Sequence, residues 1–451
     1  MSEVDKAVTP ETATTKKDWK QTKVGSVFVS NYPPYSFWTD SGVKDVEKVL
    51  GQPVSENAPS LGLYLHIPFC RKRCKFCYFR VYTDRNAADI QRYLDALARE
   101  VELYSALPRF AGRTPSFVYF GGGTPSYISV KHLKALVDRV KATMTWENAE
   151  EVAFECEPGT LTQSKLEAIK EIGVTRLSLG IENLSDEILR ENGRAHVSKE
   201  VYQVMPWVKD LGFNQVNVDL ISGMVGETWD SWKDTVQRTL DLDPESLTIY
   251  QMELPFNTVY SKAILGEGSE EIPVADWELK REWHAFAIDT FTKAGYEVSS
   301  AYTLVKKGGS GKFLYRDSLW RSSDLIGAGV ASFSHVNGLH FQNQTHWDGY
   351  LDALESDNLP LNRAFVTTHE ERLTREMILQ LKLGRIKPKY FQEKFGTDIL
   401  DRYGSVFSQL SAEEMLTFDE REVQLTRQGL LQVDHLLPEF YDSKYRNARY
   451  T

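Results

Sequence analysis

Apolar positions along the chain fall into two alternating rhythms. Short runs rich in β-branched and aromatic residues, at 63–67, 116–120, 152–154, 177–181, 216–221 and 247–252, read as strands. Between them lie longer stretches with helical spacing. Residues 87–104 set Ile90, Leu94, Leu97 and Val101 on one face, and 130–144, 166–172, 186–191, 199–211 and 229–240 repeat the pattern, with Gly173 stopping one helix. Strands alternating with helices favour parallel pairing through right-handed crossovers. Six such units predict an α/β fold, an open partial (β/α)6 TIM-like barrel rather than a closed eightfold one, with a doubly wound sheet as the structural alternative. In either arrangement ligand-binding groups sit at the carboxyl ends of strands, so motifs placed directly after strands carry the most weight.

The flanks break this rhythm. Residues 1–20 are polar, the composition of a mobile tail, and FVSNYPPYSFW at 28–38 gathers aromatics around Pro33 and Pro34 as an extended arm that docks on an apolar surface. Residues 1–60 therefore read as tail and N-terminal arm, and 61–345 as the barrel with its extension. Within 276–345 a helix, the run EVSSAYTLV and the Gly-rich GAGVASFSHVNG are expected to flank the barrel. Past residue 345 an amphipathic helix at 369–384, then KYFQEKFG and the hairpin-like VQLTRQGLLQV, suggest a small helical, winged-helix-like C-terminal domain at 346–451. Its wing is not basic, which favours a packing or lid role over DNA reading.

Composition narrows the classes. The 451 residues are 41% apolar and 26% charged, enough to bury a sizeable core. The net charge of −10 and the lack of a long basic run argue against a nucleic-acid partner. No apolar stretch approaches the roughly 18 residues of a membrane span, and the first twenty lack a secretory apolar core, so a cytoplasmic protein with no membrane partner is expected. A monomer is expected.

The chemistry begins with the cysteines. Cys70, Cys74 and Cys77 fall in one tight loop after the first strand, and the fourth, Cys156, stands apart, which is no disulfide framework. Three thiolates spaced C-x3-C-x2-C can hold three irons of a [4Fe-4S] cluster and leave the fourth iron open to a small molecule. Zinc is the competing metal, with His66 close in sequence, but a structural zinc site usually takes two separated ligand pairs and this motif has no second half.

That motif resembles the radical S-adenosylmethionine (SAM) superfamily. YLHIPFC at 64–70, GGGTP at 121–125, ECEP at 155–158, GIE at 180–182, NGR at 192–194 and VDLISG at 218–223 follow the order and spacing of the oxygen-independent coproporphyrinogen III oxidase family, across most of residues 28–435. The resemblance implies metal ligands at Cys70, Cys74 and Cys77, and a SAM pocket formed by Gly122, Gly123, Thr124, Glu155, Glu182, Arg194 and Asp219. It puts Tyr64 beside the cluster, Phe76 among the cofactor-binding residues, and Ile221 and Phe333 at a second SAM. Each has a plausible chemistry: glycines let backbone approach a ligand, strand-end carboxylates accept from ribose hydroxyls or an amino group, and an arginine can hold the SAM carboxylate in a fork. Taken singly, each would more often be ordinary packing or a surface ion pair. The implied partners are a porphyrinogen or other ring compound and a reducing donor such as flavodoxin or ferredoxin.

The chain also departs from that pattern. Phe79 stands where the oxidases carry a further cysteine, Glu182 replaces a glutamine, and Ala301, Tyr302 and Thr303 occupy the place of an Asp-His pair. No catalytic residue is assigned. Three function classes follow: an oxidase-like enzyme on a porphyrinogen, a class C radical SAM methyltransferase or cyclopropanase using two SAM molecules, and a haem chaperone without catalysis.

Overall fold

The computed structural model describes residues 20–266, 272–309, 312–446 and 448, so the expected mobile tail lies outside the described residues. Six strands form the centre: β1 (Leu61–Ile67), β2 (Phe117–Gly122), β3 (Glu151–Cys156), β4 (Arg176–Glu182), β5 (Gln215–Ser222) and β6 (Ser246–Gln251). They lie side by side in chain order, all parallel. The helices between them form where the apolar spacing placed them. Helix Ala87–Ser105 begins at Asn86, whose side chain accepts from the N–H groups of Ala88 and Asp89 at 2.8 and 3.0 Å, and it buries Ile90, Leu94, Leu97 and Val101.

Both edges of this parallel core are extended. Past β6 lies an antiparallel pair, β7 (Tyr296–Val298) and β8 (Thr303–Lys306). On the other side β9 (Asp324–Ala328) runs parallel to β1, followed by antiparallel β10 (Phe333–Val336), β11 (Leu339–Asn343) and β12 (Leu361–Val366). The result is one open twelve-stranded sheet, a partial barrel whose end strands β12 and β7 do not meet. The Gly-rich stretch expected to flank the barrel is instead part of this sheet. Next to it, the buried Asn343 of β11 donates to Glu100 at 2.6 Å and to the carbonyl of Gly329 at 2.9 Å.

A second core begins past the sheet. The expected boundary at 345/346 falls inside the first unit, because helix Trp347–Glu355 and β12 pack on the barrel, and the second cluster takes up the chain at Leu373. It contains helix His369–Leu381 and a small sheet of β13 (Arg385–Ile386), β14 (Leu416–Phe418) and β15 (Val423–Leu425) in the order β13-β15-β14. The hairpin expected at 423–433 is not formed: after β15 the Thr426 hydroxyl accepts from the N–H of Gly429 and starts helix Arg427–Leu431. The N-terminal arm joins this core through Val29 and Tyr32. Its Trp38 stacks on His340 of β11 at 5.1 Å. No helix among the described residues is long and apolar enough to cross a membrane.

Candidate functional site

The cysteine loop leaves the carboxyl end of β1 and is pinned on three sides. Pro68 and Cys70 exchange backbone hydrogen bonds with Tyr82, the N–H of Lys75 donates to Asn192, and Arg73 donates to the carbonyls of Cys77 and Asn257. Arg71 holds Glu157 in a fork, at 3.1 and 2.9 Å. All three loop cysteines are half-buried, whereas Cys156 is buried on β3. Thr124 Oγ1 lies 3.3 Å from Cys70 Sγ, and Arg194 Nη1 lies 3.4 Å from Cys74 Sγ. Burial pushes the Cys70 thiol up to about 11 and Cys77 to about 12, so a positively charged group must compensate these sulfurs before both can ionise. Among the described residues no group of His, Cys, Asp or Glu converges as the donor set of one metal ion. A cluster makes no such demand, since each iron takes a single thiolate.

The loop faces a cavity of about 550 Å3 that occupies the barrel interior. Its walls come from alternate positions on successive strands: Tyr119 on β2, Glu155 on β3, Ser178, Gly180 and Glu182 on β4, Asn217, Asp219 and Ile221 on β5, Thr248 and Tyr250 on β6. Close backbone approach is required at Gly122, where φ is +109° and a Cβ would stand 2.4 Å from the His66 ring. Glu155 accepts from Tyr119 Oη at 2.7 Å and from the Gly122 N–H at 3.1 Å. Asp219 accepts from Ser178 and Asn217, both at 2.8 Å. Glu182 sits at an irregularity in the β4–β5 register with φ of +64°, an unfavourable conformation for a side chain of its size, and meets Arg194 at 3.5 Å.

Three carboxylates therefore crowd one wall, with Arg194 against Glu182, Arg176 acting on Asp219 and no arginine against Glu155. Burial, reinforced by their mutual repulsion, lifts Glu155 and Glu182 to about 7 and raises Asp219 as well. Arg194 donates to the Gly180 carbonyl at 2.5 Å, and its buried Nε has no partner in the structure. A spare guanidinium donor beside an excess of carboxylate suits a ligand that carries both a carboxylate and a cationic centre, as SAM does. Farther along, Glu157 shows the opposite balance: burial raises it, but hydrogen bonds from His196 and Arg71 outweigh that and hold it at about 2.

Of the residues expected at cofactors, Cys70, Cys74, Cys77, Phe76, Gly122, Gly123, Thr124, Glu155, Glu182, Arg194, Asp219 and Ile221 all line this cavity. Two do not. Tyr64 lies behind the wall, stacked on Tyr119 at 5.9 Å with its hydroxyl 3.2 Å from His66. Phe333 is 44% exposed and packs on Tyr35 and Trp38 of the arm, since β10 lies outside the strands that enclose the cavity. Sequence reasoning missed Tyr119, Arg176, Tyr250 and Glu253. Arg176 was within reach, because even spacing puts it on the same face of β4 as Glu182, whereas β6, which carries Tyr250, held no expected residue to point to it. Glu253 had no such signal: it is tied to the arm through Ser26 and the Val27 N–H, a tertiary contact.

Known proteins give the same picture. The radical SAM superfamily model matches residues 64–239, and the HemN C-terminal domain model matches 367–431. The heme chaperone HemW of Bacillus subtilis (strain 168) is 28% identical over 381 residues, 82% of this chain and 96% of the relative. The oxygen-independent coproporphyrinogen III oxidase of Escherichia coli (strain K12) is 24% identical over 392 residues, 83% of this chain and 84% of the relative. The solved structure of the Escherichia coli coproporphyrinogen III oxidase HemN, described as a radical SAM enzyme, superposes with a TM-score of 0.79 at 22% identity, over 93% of this chain and 99% of that one, so the two share a fold. The chain thus carries a stretch at 64–239 that matches the radical SAM superfamily and one at 367–431 that matches the HemN C-terminal domain, and the relatives that span most of its length include both an oxygen-independent coproporphyrinogen III oxidase and a HemW.

Proposed function

We propose that the protein is a radical SAM enzyme of the oxidase-like kind, with a [4Fe-4S] cluster on Cys70, Cys74 and Cys77 and a porphyrinogen or similar ring compound as substrate. The observation that carries this reading is that the cysteine loop and the Glu155, Glu182, Asp219 and Arg194 side chains open into one barrel cavity. Held by Cys70, Cys74 and Cys77, the cluster would supply one-electron reduction of SAM, the chemistry that yields methionine and a hydrogen-abstracting 5′-deoxyadenosyl radical. The chain's own residues bind and orient. Arg194 would take the SAM carboxylate, while Glu155, fixed by Tyr119 and Gly122, and Asp219, fixed by Ser178 and Asn217, offer rigid acceptors to ribose or amino groups. The arm at Ser26–Val27–Phe28 and the C-terminal unit at Leu430–Asp434 line the cavity's remaining side, where they would help to keep water from the reacting groups. The electron donor, a flavodoxin- or ferredoxin-type carrier, would meet the loop at 70–80, which holds five cations and no acid.

A second reading, methyl transfer or cyclopropanation with two SAM molecules, is favoured by the place of the missing Asp-His pair. There Ala301 and Tyr302 line the cavity, and the Tyr302 hydroxyl is engaged by Asp434, leaving no free acid–base pair. Only Ile221 of the two residues expected at a second SAM reaches the cavity, which bears on both readings alike.

Anaerobic incubation with labelled SAM separates the readings. The reconstituted protein should hold about four irons per chain, and Cys74→Ala should abolish reductive SAM cleavage. 5′-Deoxyadenosine with an oxidised substrate supports the first reading, and stoichiometric S-adenosylhomocysteine supports the second. A colourless, sulfide-free protein loaded with zinc would overturn both.

A further inference from the structure

The barrel cavity has a second end. Strand β4 runs from Arg176 to Glu182, and at about 3.3 Å per residue its two ends stand roughly 20 Å apart. Glu182 is at the cysteine-loop end, and Arg176 lies at the other. Arg176 is 2% exposed and lines the cavity, yet neither Nη1 nor Nη2 has an acceptor. The neighbouring carboxylates Glu151 and Asp219 face it as charges, but Glu151 spends its hydrogen bonds on the N–H groups of Leu314 and Tyr315 at 3.0 and 2.9 Å and Asp219 on Ser178 and Asn217. Arg316 lines the same end at 7% exposure. Its Nε and Nη2 bond to Asp317 and Ser299, while its buried Nη1 has no partner. Both guanidinium groups approach the ring of Phe313, at 4.2 and 5.8 Å from its centroid.

A guanidinium enclosed with unmet donors is costly, and contact with an aromatic ring offsets only part of that cost. The polar group that best meets a planar fork of donors is a carboxylate. Around it the walls are aromatic, Phe313, Tyr315 and Trp320, which suits a carboxylate borne on an apolar ring or short chain.

We propose that Arg176 and Arg316 form a carboxylate-binding subsite at the end of the barrel opposite the cysteine loop, which selects a substrate whose acid group lies far from its reacting carbon. The selection role rests on reading this cavity as a substrate site; the binding itself does not. A simple probe pair tests it. Benzoate and benzamide share a shape and differ in charge, and both can be titrated into the anaerobically reconstituted protein by calorimetry, with thermal unfolding alongside.

Benzoate should bind and raise the unfolding midpoint, with benzamide at least about tenfold weaker. Arg316→Gln and Arg176→Gln should each abolish that preference, and Arg316→Lys should restore part of it. Equal binding of the two probes by the parent protein, or an undiminished preference in both glutamine variants, would overturn the subsite. If Arg176 only braces the barrel through Glu151, its variant loses stability and benzoate never binds the parent. Should Arg176→Gln fail to fold, the parent comparison and the Arg316 variants still decide. Benzoate binding without any SAM cleavage would sink the functional reading and leave the subsite standing, whereas SAM cleavage without benzoate preference would do the reverse.

Discussion

Glu182 concentrates the electrostatics of the site in one side chain. Arg194 faces it from the turn after residue 192, Asp219 from β5 and Glu155 from β3, and burial with the two carboxylates outweighs the single arginine to give a value of about 7. Glu155 stands at the same value, against Tyr119 and Asp219. Both are raised from an ordinary 4.5, so the folded protein keeps these protons after the unfolded chain has released them. Their contribution to folding is thus greatest at low pH and is lost as pH climbs from about 4.5 to about 7. A cationic ligand reverses the preference by favouring the ionised carboxylates. SAM affinity should therefore rise by up to about tenfold between pH 6 and pH 8, the span over which a group at 7 ionises. Equilibrium dialysis at the two values measures it. Glu182→Gln should flatten the profile and weaken binding at pH 8 by about fivefold, the order of one charge-assisted contact. A profile unchanged by that substitution would remove Glu182 from the SAM pocket.

Among the elements, the cysteine loop and the strands that support it were legible because their signals are local. Spacing announced the thiols, and the six parallel strands appear within a few residues of where apolar runs placed them, since strands buried on both faces are nearly continuous in hydrophobicity. The signal fails in β11 (LHFQN), all five residues of which are buried although three are polar. Some of their partners, Glu100 for Asn343 and Asn31 for His340, lie more than two hundred residues away, and nothing local announces them. Phe333 went astray for the same reason: its strand joins the sheet beyond β9, so its ring meets the arm instead of the cavity. The loop itself carries a testable consequence. Lys72 and Arg80 are exposed, with no ion pair among the described residues, on a chain of net charge −10. An acidic electron carrier should feel them. Lys72→Glu combined with Arg80→Glu should slow SAM cleavage driven by reduced flavodoxin about tenfold at low salt and much less at high salt, while dithionite-driven cleavage stays at the parent rate. Equal loss with both reductants would mean that the substitutions damage the site itself.

Across the whole molecule, the cavity is lined by parts that lie far apart in sequence, and one buried cluster joins them. Lys382, 1% exposed at the end of helix His369–Leu381, pairs with Asp434 at 2.8 Å, donates to the Val29 carbonyl, and lies 3.9 Å from the centre of the Phe28 ring. Asp434 also accepts from the Val29 N–H at 2.9 Å and from the Tyr302 hydroxyl. Arm, barrel and C-terminal unit thus meet on one ion pair. Removing one partner strands a buried charge, which costs about 3–5 kcal/mol where the pair is fully enclosed. Replacing both with apolar groups of similar size costs far less. Asp434→Ala should therefore lower the urea midpoint, expose the arm near Phe28 to limited proteolysis, and let water into the cavity, so that SAM is cleaved with less product per 5′-deoxyadenosine formed. Lys382→Met with Asp434→Leu should recover most of the midpoint while leaving the arm weakly held, because Val29 has then lost both its polar anchors. Recovery of stability without recovery of coupling would show that the ion pair holds the arm over the cavity; recovery of both would reduce the cluster to a packing contact.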